Sequence, residues 1–298
     1  SSTNTVASAK TSTGAKDALG RPLQQTPGYV IMEPSLGVEI PGWTKARTPD
    51  FIPALCGTYN NGATSEPAKI NYYLNNDGLL SRIDKNSHDR LIDINPDNPE
   101  ELRPSLAVAW ETSEDKMSFL FHLRKGVVFS DGSPFDADDI MFTWNMMMDN
   151  NVRAEHLRSS FDRVASVSKI DQYTIEVRMS EPYWKGLYSF GYTIRIVPNE
   201  FYEREIPKMA KAEEIAVFST IPGEPGFGDA FNKFANIMPP GTGPYKWNEE
   251  KSWISNTSIT LYPNMSAWHR QLNPDFYRIK FKRWKFISDD VTRQQEFR

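Results

Sequence analysis

The sequence predicts an α/β protein, and three stretches carry that expectation. Across residues 117–124, Met117, Phe119, Phe121 and Leu123 alternate with Ser118, Leu120, His122 and Arg124, the two-residue period of a strand that buries one face. Across residues 164–179 two runs flank an Asp171-Gln172 turn. The second run, Tyr173-Thr174-Ile175-Glu176-Val177-Arg178-Met179, alternates cleanly, and the pair reads as a hairpin. Between these stretches lies a helix. Asp136 is placed to cap it, Asp138 and Asp139 fall in its electropositive first turn, and Ile140, Met141, Trp144, Met147 and Met148 share one face.

Taken in order, residues 1–20 are rich in Ser, Thr and Ala and read as a flexible tail. Residues 21–65 read as loop, punctuated by Pro27, Pro34, Pro41, Pro49 and Pro53. Residues 77–92 have helical spacing in Leu80, Ile83, Asp84, Ser87 and Leu91, and Asn95-Pro96-Asp97-Asn98-Pro99 closes that helix as a loop. Ser130-Asp131-Gly132-Ser133-Pro134 is a turn: Asp bonds its own backbone, Gly tolerates positive φ, and Pro cannot continue a ladder. Met146, Met147 and Met148 read as adaptable core packing. The Asp136, Asp138 and Asp139 group reads as a cap, because the oxygen spacing of a calcium loop is missing.

Composition narrows the function. The chain has 298 residues, 39% hydrophobic and 12% aromatic, which is ample for a packed core. Its net charge is −4 with no cluster of Lys and Arg, so nucleic acid is not an expected partner. No apolar run approaches the roughly 18 residues of a membrane span. Cys56 is the single cysteine, which excludes an intramolecular disulfide and a thiolate metal cluster; it reads as a small buried apolar side chain. A Ser/Thr/Ala-rich start often trails a removed signal peptide or a lipid anchor. The chain lacks a Gly-x-Ser-x-Gly elbow, a His-Glu-x-x-His pair and a phosphate loop, since Gly241-Thr242-Gly243 runs into Pro244, which has no N–H. His88, His122, His156 and His269 are scattered, so no metal and no cofactor is expected. The rival class is a secreted carbohydrate-active enzyme, which needs two carboxylates facing across a groove.

One region is more specific than these patterns. Pro104-Ser105-Leu106-Ala107-Val108-Ala109-Trp110 is followed by Leu123-Arg124-Lys125-Gly126-Val127-Val128-Phe129-Ser130-Asp131-Gly132-Ser133-Pro134 and Ala137-Asp138-Asp139-Ile140. It resembles the signature of the bacterial family 5 extracellular solute-binding proteins, the dipeptide- and oligopeptide-binding subunits of ABC importers. Further stretches resemble the same family in order: Ser65-Glu66-Pro67 through Asn76, with Tyr72 where the family has a second Pro; the 164–179 hairpin with Glu181-Pro182-Tyr183; Gly241-Thr242-Gly243-Pro244-Tyr245; Ile259 to Trp268; and the strand over 276–284.

The resemblance implies a binder, not an enzyme, with a type II periplasmic-binding-protein-like lobe of mixed sheets and a small inserted α/β subdomain. Residues 21–88 and 166–298 are then the first lobe and 89–165 the insertion, with a second lobe expected beyond residue 298. It implies a peptide or other small solute held by closure of two lobes, an ABC permease as membrane partner, a monomer at full length, and a periplasmic or cell-surface location. Other members take nickel complexes or oligosaccharides. Ligand contacts implied on the first lobe are Asn75 and Asn76, where the family's first strand reaches the cleft, and Gly191 and Tyr192, before Ile196-Val197-Pro198. Trp284 either stacks on the ligand or packs in the core. Gly241 to Tyr245 reads as a structural loop.

Overall fold

The computed structural model describes residues 29–31, 56–95, 98–217, 219–272 and 277–296. The expected tail, most of the expected loop over 21–65 and the Cys56 side chain lie outside the described residues. In chain order the strands are β1 (Tyr29–Ile31), β2 (Cys56–Ala63), β3 (Ile92–Asn95), β4 (Asn98–Pro104), β5 (Ala107–Ser113), β6 (Ser118–Leu123), β7 (Val164–Asp171), β8 (Thr174–Met179), β9 (Tyr245–Lys246), β10 (Trp253–Ile254), β11 (Ser258–Pro263) and β12 (Ile279–Phe286). The helices are α1 (Gly78–Ser87), α2 (Ala137–Met148), α3 (Glu155–Arg158), α4 (Gly186–Gly191), α5 (Asn199–Ala212), α6 (Phe227–Phe234), α7 (Trp268–Leu272) and α8 (Asp290–Glu296). They form two compact units. One holds β1 with Arg90–Lys125 and Phe161–Ile194; the other holds residues 56–89, Gly126–Ser160 and 195–296.

The first unit is an antiparallel sheet in the order β1-β5-β6-β8-β7, with a separate β3–β4 hairpin. The predicted 164–179 hairpin is β7 and β8, paired through Val167 and Val177 and turning between Asp171 and Thr174. β6 is the middle strand, and Ser118 and Leu120 are buried as well as Phe119, Phe121 and Leu123. Its alternation therefore does not report an exposed face: a central strand can be covered on both sides whatever its pattern. Phe190 of α4 packs 6.1 Å from Phe121 and 6.1 Å from Phe161, ring centre to ring centre.

Three expectations about where elements lie are corrected. The helix over 77–92 stops at Ser87, whose Oγ donates back to Ile83 O at 3.2 Å while extended His88 donates its N–H to Asp84 O. Ile92 then opens β3, and Asn95 pairs with Asn98, so Asn95, Asn98 and Pro99 of the expected loop belong to the antiparallel strands β3 and β4, while 96 and 97 lie outside the described residues. Tyr29–Ile31 and Cys56–Ala63 are strands, not loop.

The second unit is built on a mixed sheet in the order β10-β11-β12-β2, with β9 on β11. β11 runs antiparallel to β12, placing Ile259 opposite Trp284, and β2 runs parallel to β12 on its other side. Helix α1 lays Leu79, Leu80 and Ile83 onto Tyr245, Ile259, Leu261 and Trp284. Burial of a side chain of that size stabilises by about 1.5–3 kcal/mol. A second layer joins α2 to α5 and α6: Phe142 stacks on Tyr202 at 5.8 Å and meets Phe227 edge-on at 6.4 Å. Asp136 caps α2 as the sequence predicts, in a reciprocal box with Asp139, and the 130–134 turn closes through Asp131 and a Gly132 at φ 94°.

The two units cut the chain differently from the expected 89–165 insertion. Strand β8 pairs with β6 through Phe121 and Ile175, which ties 166–179 to Arg90–Lys125. Helix α2 packs on α5 and so belongs with the mixed sheet. Sheet hydrogen bonds and ring packing set these boundaries.

Candidate functional site

In an open α/β sheet, ligands bind in the crevice outside the carboxyl ends of the strands. β2 and β12 run parallel, so both end at the same edge, where the Ile287 N–H bonds Ala63 O at 2.8 Å. A cavity of about 340 Å³ opens there, lined by Gly62, Ala63, Thr64, Ser65, Asp77, Gly78, Leu79, Arg82 and Arg293. Three segments build it. Strand β2 delivers Thr64 and Ser65 just past its last residue. Asp77 caps α1, its Oδ1 accepting from Leu79 N at 2.7 Å, and turns Gly78 and Arg82, four apart and therefore on one helix face, toward the opening. Arg293 comes from α8 and is steadied by the Ile287 carbonyl at 2.9 Å and by Asp290.

The next residue, Glu66, fixes this edge. Its carboxylate accepts from Asn256 N at 2.9 Å, Trp253 Nε1 at 3.0 Å and Ser255 Oγ at 3.1 Å, and the first of these bonds leads in holding it below its usual range. Asn256 sits at φ 56°, the left-handed conformation that Asn tolerates, which aims its N–H at Glu66. Deeper in the same unit, Asp84 and Arg195 form a buried ion pair. His88 Nδ1 lies 3.1 Å from the carboxylate, and the guanidinium carbon sits 3.9 Å from the centre of the Tyr72 ring. Burial opposes the charge on Arg195, but the Asp84 carboxylate, with Tyr72 and Tyr73, more than offsets it, so its pKa lies above the ordinary arginine value.

The residues implied by resemblance are not gathered at this cavity. Asn75 is half-buried and donates to Lys69 O at 3.1 Å; Asn76 is exposed, and neither lines the opening. Gly191 and Tyr192 belong to the other unit. A Cβ on Gly191 would lie 2.8 Å from Ile92 Cγ1, so glycine is required for packing, and Tyr192 stacks on Tyr188 at 4.8 Å with Arg90 over its ring. Trp284 is 2% exposed in the core beneath α1, which is the packing role of the two open to it. Gly241 to Tyr245 is the structural loop expected, with Gly243 N bonding Ser87 O at 2.9 Å. Thr64, Ser65, Arg82 and Arg293 went unread. The only sequence signal for any of them was the four-residue step from Gly78 to Arg82 behind a capping Asp. Among the described residues, no group of three or more His, Cys, Asp and Glu is arranged to hold a metal ion.

The model of the bacterial extracellular solute-binding proteins, family 5, matches residues 101–298. The chain belongs to that family. Family 5 proteins bind solutes and are not enzymes, which agrees with the sequence expectation. The periplasmic-binding protein SapA of Escherichia coli K12, named as a probable ABC transporter component, is 26% identical over 241 residues, covering 76% of this chain and 39% of SapA. The periplasmic alpha-galactoside-binding protein of Rhizobium meliloti is 35% identical over 125 residues, 40% of this chain and 18% of that one. Among solved structures, the periplasmic binding protein AgaA with agropinic acid, from A. tumefaciens R10, matches at a TM-score of 0.60 and 21% identity, covering 80% of this chain and 41% of AgaA. DppA of Helicobacter pylori with the peptide STSA matches at 0.58 and 21%, covering 80% and 44%. These likenesses show the periplasmic-binding-protein fold of type II. The chain spans about two fifths of the length of such relatives.

Proposed function

We propose that the protein is the substrate-binding component of an ABC importer, a receptor that captures peptides by closing two lobes over them and presents the closed form to a membrane permease. The observation that carries this is the cavity at the carboxyl ends of β2 and β12, in a chain whose family binds solutes. Its rim of backbone, hydroxyl and guanidinium groups suits a ligand held through its main chain, a mode that tolerates varied side chains. Relatives named as periplasmic support a place in the periplasm or at the cell surface, reached through a signal peptide and held there by a lipid anchor where one is attached; no helix among the described residues is long and apolar enough to cross a membrane. The full-length receptor is read as a monomer with no cofactor.

A second ligand class rests on the alpha-galactoside-binding relative, which is 35% identical over 125 residues. Thermal melts of the protein at its full natural length separate the two. A ligand at about a hundred times its Kd adds about 2.7 kcal/mol to stability. A shift with a random tripeptide library and none with galacto-oligosaccharides or nickel chelates is the expected result. A shift with the oligosaccharides alone moves the ligand class, and no shift with any solute contradicts the receptor reading.

A further inference from the structure

We propose that Glu66 is a positioning residue for the solute: it ties the hydroxyl rim of the cavity, Thr64 and Ser65, to the β10–β11 turn and so holds that rim where a solute meets it. The inference rests on the reading of the cavity as the solute site. Thr64 and Ser65 line the opening and are exposed, and their side chains make no hydrogen bond among the described residues. What fixes them lies on either side. Toward β2, Ala63 O accepts from the Ile287 N–H at 2.8 Å. On the other side the next residue is Glu66. Pro67 is buried but has no N–H, and the following hydrogen-bonded residues are Lys69, through its carbonyl, and Ile70, whose N–H donates to Asn236 Oδ1 at 2.9 Å.

Glu66 is not among the lining residues, so it acts through Thr64 and Ser65 and not by contact with the solute. The far end of its clamp is anchored in the core. All three donors come from residues 253–256, and the last of them, Asn256, stands 190 positions away in sequence. Trp253 opposes Ile259 in the sheet and packs on the cluster of Leu79, Ile259 and Trp284 beneath α1. Hydrogen bonds to an ionised acceptor are about twice as strong as neutral ones, and here three meet on one carboxylate. A rim ordered before the solute arrives removes the entropy loss of ordering it on binding. Linkage makes the effect reciprocal: a clamp that favours binding is itself tightened by binding, through the same free energy.

The test takes two readouts on the full-length protein with a random tripeptide library. Calorimetry well below the melting transition gives the affinity, which a loss of global stability alone does not move. Proton exchange of the Trp253 indole N–H, assigned by its disappearance in Trp253→Phe, reports the clamp, because that proton lies in the bond to Glu66. Glu66→Gln keeps the size, removes the charge and sets an amide group against the donors; it should weaken binding about tenfold. Ser255→Ala removes one donor and should weaken it about threefold. In the wild type, saturating peptide should slow exchange of the indole proton severalfold. Where Glu66→Gln lowers the melting temperature, Ser255→Ala decides. Wild-type affinity in both variants, or an indole proton indifferent to bound peptide, overturns the positioning role and leaves the receptor reading standing. A wild type that binds none of the library overturns the peptide reading and this inference with it.

Discussion

Buried charge sets the most demanding chemistry at the level of single residues. Asp84 and Arg195 are 4% and 6% exposed, and each depends on the other to stay charged away from water. Asp84→Asn leaves the guanidinium uncompensated and is expected to cost about 3–5 kcal/mol in urea unfolding, whereas a loss near 1 kcal/mol would mean the Tyr72 ring suffices as partner. Asp139 behaves differently. Burial pushes its carboxyl up to about 7, against the Asp136 and Asn199 N–H groups that hold it down. The folded state therefore keeps a proton that the unfolded chain has already released, and the associated stability is fully present below the ordinary value of 3.8 and lost as pH rises through about 7. Unfolding midpoints measured from pH 4 to 7 should fall with this contribution, and Asp139→Asn should flatten that part of the slope; an unchanged slope contradicts the assignment. The cap that places Asp139 was legible in sequence, because Asp136 and Asp139 stand at the spacing of a reciprocal box. The burial was not, because it depends on α5 arriving from another part of the chain.

The elements hold one another through close backbone approach. The 241–245 loop lies against the end of α1, and a Cβ on Gly241 would fall 1.9 Å from Ser87 O, a backbone atom that cannot step aside alone. Gly241→Ala is therefore expected to lower stability by about 1–3 kcal/mol in chemical denaturation. Gly78→Ala, at an open position in the first turn of α1, should be neutral or stabilising by up to about 1 kcal/mol. The reverse order would show that the loop is not packed as described. Helix α2, the turn before it and the β7–β8 hairpin could be read in advance because each is specified locally by caps, turn residues or alternation. β2 could not. Its Gly57, Asn60, Asn61 and Gly62 are poor strand formers, and it becomes a strand only by pairing with β12 from the far end of the chain. β3 was missed for a related reason: Leu91 continues the helical spacing of α1, although Ser87 has already ended the helix.

At the scale of the whole molecule, the signature over 104–140 and five further ordered stretches were enough to point to the family, whereas the candidate site was not legible. The cavity is made where a parallel pair ends, so it joins Thr64 and Ser65 to Arg82 and Arg293, residues whose proximity exists only after β2 and β12 have met. Of the residues implied by resemblance, Trp284 lies in the core, Gly191 and Tyr192 lie in the other unit, and Asn75 and Asn76 lie in the same unit as the cavity without lining it. The central claim is that solute is held at the carboxyl ends of β2 and β12. Hydrogen exchange of the full-length protein, with and without a tripeptide that binds it, tests this most directly. Backbone amides over residues 62–66 and 77–82 should exchange more slowly in the complex; protection confined to other segments, with these exchanging as in the free protein, would contradict it.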